Sequence, residues 1–163
     1  MRLTNSTAGA TPTFNRTILG YSSVSSSTTT LKVEPDNIAF LVLSPTYSAI
    51  GRLSQLNDDW DGCGSTKPNP AAIQRAMTML EGFYRTASVA GGAPYQWVAP
   101  HISASEDGEV VMEWWSGAHK LTVYVGETSA QYLKVWGTNI TTQMADGAIE
   151  GNQFQGLWLW LNV

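Results

Sequence analysis

The stretch Glu109-Val110-Val111-Met112-Glu113-Trp114-Trp115-Ser116-Gly117-Ala118-His119-Lys120-Leu121-Thr122-Val123-Tyr124-Val125 decides the fold. Apolar and polar residues alternate on both sides of Ser116-Gly117, and a period of two is the mark of a half-buried strand. With Ser116-Gly117 as the two central residues of a hairpin turn, Trp115 faces Ala118, Glu113 faces Lys120, Met112 faces Leu121 and Val110 faces Val123. One face of the hairpin is then Val110, Met112, Trp114, Leu121 and Val123, all apolar. A slip of one residue would scatter that set over both faces.

The alternation extends in both directions. Upstream, Val98–Ala104 reads as a strand, with Pro100 suggesting a sheet edge, and Asp107-Gly108 is a turn signal. Downstream, a three-residue turn at Glu127–Ser129 leads into a strand Ala130–Trp136, with Leu133 opposite Val123 and Val135 opposite Leu121. That register places Glu113, Trp115, Lys120, Thr122, Tyr124, Tyr132, Lys134 and Trp136 together on the second face, with Tyr124 and Tyr132 opposite one another. A solvated sheet face normally carries Thr, Lys and Glu. Large aromatics there point to recognition, so Trp115, Lys120, Tyr124, Tyr132, Lys134 and Trp136 are the candidate partner-binding residues. Three fates are open to this face: cover by Leu157–Val163 or the N-terminal arm, closure of a homodimer, or contact with a foreign protein.

Asn69-Pro70 opens the clearest helix, an N-cap followed by proline at the first turn. Ile73, Met77, Leu80 and Tyr84 form its apolar stripe, widened by Ala76 and Phe83, and the helix fades by Ser88, before Gly91-Gly92. Ser44-Pro45 carries the same signal and predicts a helix over 45–56, with Tyr47, Ile50 and Leu53 at helical spacing. Two runs stay unassigned by periodicity, Ile38–Leu43 and Leu157–Leu161, the latter fitting a strand or a short buried helix. The elements predict a two-layer α+β fold: two helices packed on one face of an antiparallel β-meander of three to five strands. Residues 1–36, with Ser or Thr at 14 of the first 30 positions, read as a flexible or partner-ordered arm, and 37–163 as a single domain.

Composition narrows the function. The 163 residues carry 9 Lys+Arg and 13 Asp+Glu, a net charge of −4, which disfavours nucleic acid and anionic membranes as partners. No apolar run approaches the ~20 residues of a spanning helix, and no secretory leader is visible, so a cytoplasmic setting is expected. A single cysteine, Cys63, allows neither an internal disulfide nor a multi-cysteine zinc site.

Each chemical candidate has a plainer structural explanation. The Asp58/Asp59/Asp61 cluster offers oxygen ligands for Mg²⁺ or Ca²⁺, but lacks the spacing of a twelve-residue calcium loop. As a connector, its carboxylates would bond backbone amides while Trp60 plugs the core, making Asp59, Trp60, Asp61, Gly62 and Gly64 a structural motif. Glu113 beside two tryptophans hints at glycoside chemistry, yet pairing with Lys120 is an ordinary cross-strand stabiliser. His101 and His119 are acid–base candidates, and Cys63 between two glycines reads as a turn residue. No phosphate loop, dinucleotide fingerprint or nucleophile elbow occurs, so no catalytic residue, metal or cofactor is assigned.

Asn57-Asp58-Asp59-Trp60-Asp61-Gly62-Cys63-Gly64, then Pro68-Asn69-Pro70-Ala71-Ala72-Ile73 and the later Pro100…Asp107-Gly108…Glu113-Trp114, resemble a widespread group of short bacterial and phage proteins with an Asn-Trp-Asp-Gly-x-Gly signature. The resemblance spans roughly residues 50–136. It implies an α+β fold and a bacterial or mobile-element setting, and brings no catalytic residue. The resulting expectation is a non-enzymatic protein-binding antagonist in a bacterial host's cytoplasm, of the anti-CRISPR or antitoxin kind. Two alternatives remain: a single-stranded nucleic-acid module using the aromatic and lysine side chains of the sheet, and a small hydrolase, carboxylate-based or metal-dependent.

Overall fold

The computed structural model of the protein describes residues 35–91, 96–139, 141–151 and 153–163. These lie in the unit Val33–Val163. The predicted arm lies outside the described residues except for Pro35 and Asp36, which already belong to the first helix. In chain order the elements are α1 (Pro35–Arg52) with a 3₁₀ turn at Leu53–Gln55, α2 (Pro70–Ala90), β1 (His101–Ala104), β2 (Val110–Ser116), β3 (His119–Val125), β4 (Ala130–Val135), β5 (Met144–Ala148) and α3 (Phe154–Leu161). The five strands form an antiparallel meander in the order β1-β2-β3-β4-β5. The fold is α+β, with the helices packed on one face of the sheet.

Helix α2 forms as its sequence dictates. Asn69 Oδ1 accepts from Ala71 N at 2.7 Å, Pro70 fills the first turn, and Gly91 ends the helix at φ +54°. Its core stripe runs Ile73, Ala76, Leu80, Phe83 and Ala87, while Met77 and Tyr84 flank it on the side of α1. The predicted start of the preceding helix at Pro45 is corrected. Helix α1 begins ten residues earlier, takes in the unassigned run Ile38–Leu43 and carries Pro45 inside it. Proline removes one N–H from the helix interior. Pro45 and Leu41, whose carbonyl loses that donor, both face solvent, where water can replace it. The stripe Leu43, Thr46 and Ile50 is buried and carries the helix through.

The β2–β3 pairing differs from the predicted one by two residues. Ser116 faces His119, Trp114 faces Leu121 and Met112 faces Val123, so Gly117-Ala118 form the loop. Gly117 takes the positive φ, +58°, that such a two-residue loop needs at its first position. A shift of two preserves the faces: Val110, Met112, Trp114, Leu121, Val123 and Val125 are all buried against the helices.

The β3–β4 pairing differs by one residue, and that reverses β4. The connection is a four-residue loop, Gly126–Ser129, closed by Gly126 N donating to Ser129 O at 2.9 Å. Val123 therefore faces Tyr132 and Leu121 faces Lys134. Tyr132 and Lys134, predicted for the outer face, turn inward, and Leu133 and Val135 turn outward. The space suits them. Tyr132 lies over Gly147, where a Cβ would come within 2.9 Å of its hydroxyl.

The C-terminal run is helix α3, a third helix beyond the two predicted, and it lies on the inner side of the sheet. Trp158 is buried, stacked on Trp97 at 5.5 Å between ring centroids and edge-on to Trp114 at 6.4 Å. Phe154 packs on Phe83 at 4.9 Å because α2 carries glycine at position 82, where a Cβ would stand 2.8 Å from the Phe154 ring. No helix among the described residues is long and apolar enough to cross a membrane.

Candidate functional site: the outer sheet face

With all three helices on one side, no described helix covers the other face of the sheet, the open face, although Val111 and Thr122 on it are buried, 7% and 2% exposed. Cross-strand pairing arranges it in three rows. The central row is His101, Glu113, Thr122, Leu133 and Asp146. On one side of it lie Trp115, Lys120, Val135 and Met144, and on the other Ser103, Val111, Tyr124, Gln131 and Ala148. Trp115 is 53% exposed and Met144 40%. Tyr124, Leu133 and Val135 are half-buried.

A polar cluster sits at one end of this mixed surface. Lys120 Nζ lies 2.5 Å from Glu113 Oε1, and the buried Thr122 hydroxyl donates to the same oxygen at 3.2 Å. His101 Nδ1 stands 3.7 Å from Glu113 Oε2. Lys120 also lies over the Trp115 ring, 5.2 Å from its centroid. The Glu113–Lys120 contact expected from the sequence is present, but it runs diagonally: Glu113 faces Thr122 and Lys120 faces Trp115. Both charges are engaged, and Lys120 links the cluster to the Trp115 ring.

Of the six predicted contact residues, Trp115, Lys120 and Tyr124 share the open face, while Tyr132, Lys134 and Trp136 do not. Trp136 meets Trp160 of α3 edge-on at 6.0 Å. Lys134 Nζ lies 5.2 Å from the Trp160 ring and 5.5 Å from that of Tyr132. His119 stacks on Trp160 at 4.7 Å. A base-stacking platform uniting Trp115, Tyr124, Tyr132 and Trp136 with Lys120 and Lys134 therefore does not exist on one face. What replaces the three lost residues is aliphatic: Leu133, Val135 and Met144.

The carboxylates of the acidic loop bond the loop's own backbone and Ser65. Asp59 sits at φ +61°, a left-handed conformation that Asp tolerates, with its Oδ1 accepting from Gly64 N at 2.7 Å. Asp61 accepts from Cys63 N at 2.9 Å and from the Ser65 hydroxyl at 2.6 Å, and Asp58 accepts from Lys67 N at 3.0 Å. The Ser65 hydroxyl and then the Cys63 amide hold the Asp61 carboxyl below its ordinary range. Gly62 and Gly64 supply positive φ, +72° and +86°. The loop docks on the β1–β2 hairpin through Thr66 N to Glu106 O at 2.8 Å and Asn69 N to Gly108 O at 3.0 Å. Trp60 does not plug the core; it is 38% exposed, because the loop is held by backbone bonds rather than by an aromatic anchor. Among the described residues no three His, Cys, Asp or Glu side chains are placed to hold a metal, and the Asp cluster does not converge with Glu113.

A second surface was not anticipated. Ile38, Phe40, Leu43, Met77, Tyr84 and Val89 line an apolar groove of about 800 Å³ between α1 and α2. Phe40 and Leu41 are 63% and 69% exposed. Tyr47 donates to Glu81 Oε1 at 2.7 Å beside it, and burial together with that carboxylate pushes the Tyr47 phenol well above its usual range. The available signal was the run Ile38–Leu43, which as a helix is apolar all round. Comparison with protein-family models, with curated proteins and with solved structures finds no match to this chain.

Proposed function

We propose that the protein is a non-catalytic binding protein that engages a protein partner through the open face of its sheet. The observation that carries this reading is the exposed Trp115, with Lys120 over its ring, on the same sheet face as Val135 and Met144 of its row and Leu133 and Tyr124 of the other two. An exposed aromatic with apolar and charged neighbours on one face matches the make-up of interface hot spots. Protein suits this face better than nucleic acid. Lys120 is already engaged by Glu113, and the chain is acidic overall.

The likeness to short bacterial and phage proteins supplies the setting: a partner in the bacterial cytoplasm, with antagonism of a defence or toxin protein as the specific form of the proposal. Capture from bacterial lysate by the full chain, compared with Trp115→Ala and Leu133→Lys, tests it. The expected result is one captured protein that both variants lose while their circular dichroism stays unchanged. Capture unaffected by either substitution would overturn the reading.

A further inference from the structure

We infer that β5 is a docking edge for an extended segment of another protein, one with a basic residue between apolar ones, which adds as a sixth strand. The inference rests on the open-face reading and names how a partner would reach that face.

The argument starts from the main chain. Ile149 N donates to Ala130 O at 2.8 Å, and Trp136 N donates to Gln143 O at 3.0 Å. Between those bonds, Tyr132 pairs with Gly147 and Lys134 with Ala145. Antiparallel pairing alternates the direction of backbone groups. The odd-numbered residues from 143 to 149 thus point theirs at β4. The N–H and C=O groups of Met144, Asp146 and Ala148 point the other way, and no backbone bond among the described residues takes them up. All three residues are exposed, and their side chains stand on the open face. A row of unpaired groups at strand spacing selects a strand as its occupant.

Charge then selects which strand. Asp146 is the one charged residue of β5. If two copies paired antiparallel through β5 with full overlap, Asp146 would face its own copy, and like charges directly opposite are destabilising. A foreign strand with lysine or arginine at that position is attracted instead. Its apolar residues two places to either side would face Met144 and Ala148, extending the rows that contain Trp115 and Tyr124.

The probe is the peptide acetyl-Thr-Val-Thr-Lys-Thr-Val-Thr-amide, with a Glu-for-Lys version and a version N-methylated at the lysine amide. Binding to the full chain is read by fluorescence anisotropy at low salt. The expected result is that the Lys peptide binds about fivefold more tightly than the Glu peptide, and that Asp146→Lys reverses this order. N-methylation should abolish binding. Ala148→Pro should weaken it with the thermal midpoint unchanged, because that N–H does not serve β4.

Binding indifferent to N-methylation, or no binding by either peptide, would overturn the inference. So would a dimer of the protein that Ala148→Pro dissociates, since the occupant would then be a second copy. A partner lost with Trp115→Ala but unaffected by Ala148→Pro removes the edge assignment and leaves the open-face reading standing.

Discussion

Trp114 and Trp115 are adjacent in the chain and share a residue type, yet they have opposite environments. Trp114 is 1% exposed, packs on Phe83 at 4.9 Å and donates its Nε1 to Val98 O at 2.9 Å. Trp115 projects from the other face over Lys120. The side-chain period of a strand does this without any difference in chemistry between the two residues. One face of the sheet packs on the helices, and the other carries no helix among the described residues.

The largest test of that division is Trp114→Ala. It should cost about 3–5 kcal/mol in urea denaturation, as buried aromatic deletions do, whereas Trp115→Ala should stay within about 0.5 kcal/mol. Equal losses would mean that the open face is structural after all. Next in size is a pair on β4. Tyr132→Lys should destabilise by about 1–2 kcal/mol because it strips the inner side, and Leu133→Lys by about 0.5 kcal/mol or less. The opposite ranking would restore the register expected from sequence. Glu113→Gln should cost about 0.5–1 kcal/mol, since its partner Lys120 is partly solvated, with the loss shrinking in salt.

The smallest effect concerns pH and lies away from both faces. The Asp61 carboxyl is held below its ordinary value of 3.8 in the folded protein. Its contribution is therefore complete above that value and is lost as pH falls through the lower folded one. The urea midpoint should drop less between about pH 5 and pH 2 in Asp61→Asn than in the parent.

What could be read from sequence divides along physical lines. Asn69-Pro70 fixed the start of α2 because cap and proline act locally. The inner face of β2 and β3 was legible because a two-residue misplacement of the turn leaves parity intact. Strand β4 was not, because one uncounted loop residue, Gly126, inverts it. The hydrophobic pattern reinforced that error. Leu133 and Val135 look like core, whereas Tyr132 and Lys134 are amphipathic side chains that turn inward, with the Lys134 ammonium over the Tyr132 and Trp160 rings. Trp60 misled for a related reason: a large ring suggests an anchor, but the loop around it is held by carboxylate-to-amide bonds. Pro45 showed a local signal yielding to packing, since burial of Leu43, Thr46 and Ile50 outweighs one missing hydrogen bond.

The bare α-carbon of Gly82 has a reach well beyond helix α2. It sets how near Phe154 can come, and Phe154 begins the short helix that delivers Trp158 to Trp97 and Trp160 to Trp136. Two separate indole pairs, one stacked and one edge-on, are thus registered through one missing methyl group. Any side chain installed at position 82 would be felt in the near-ultraviolet spectrum of both.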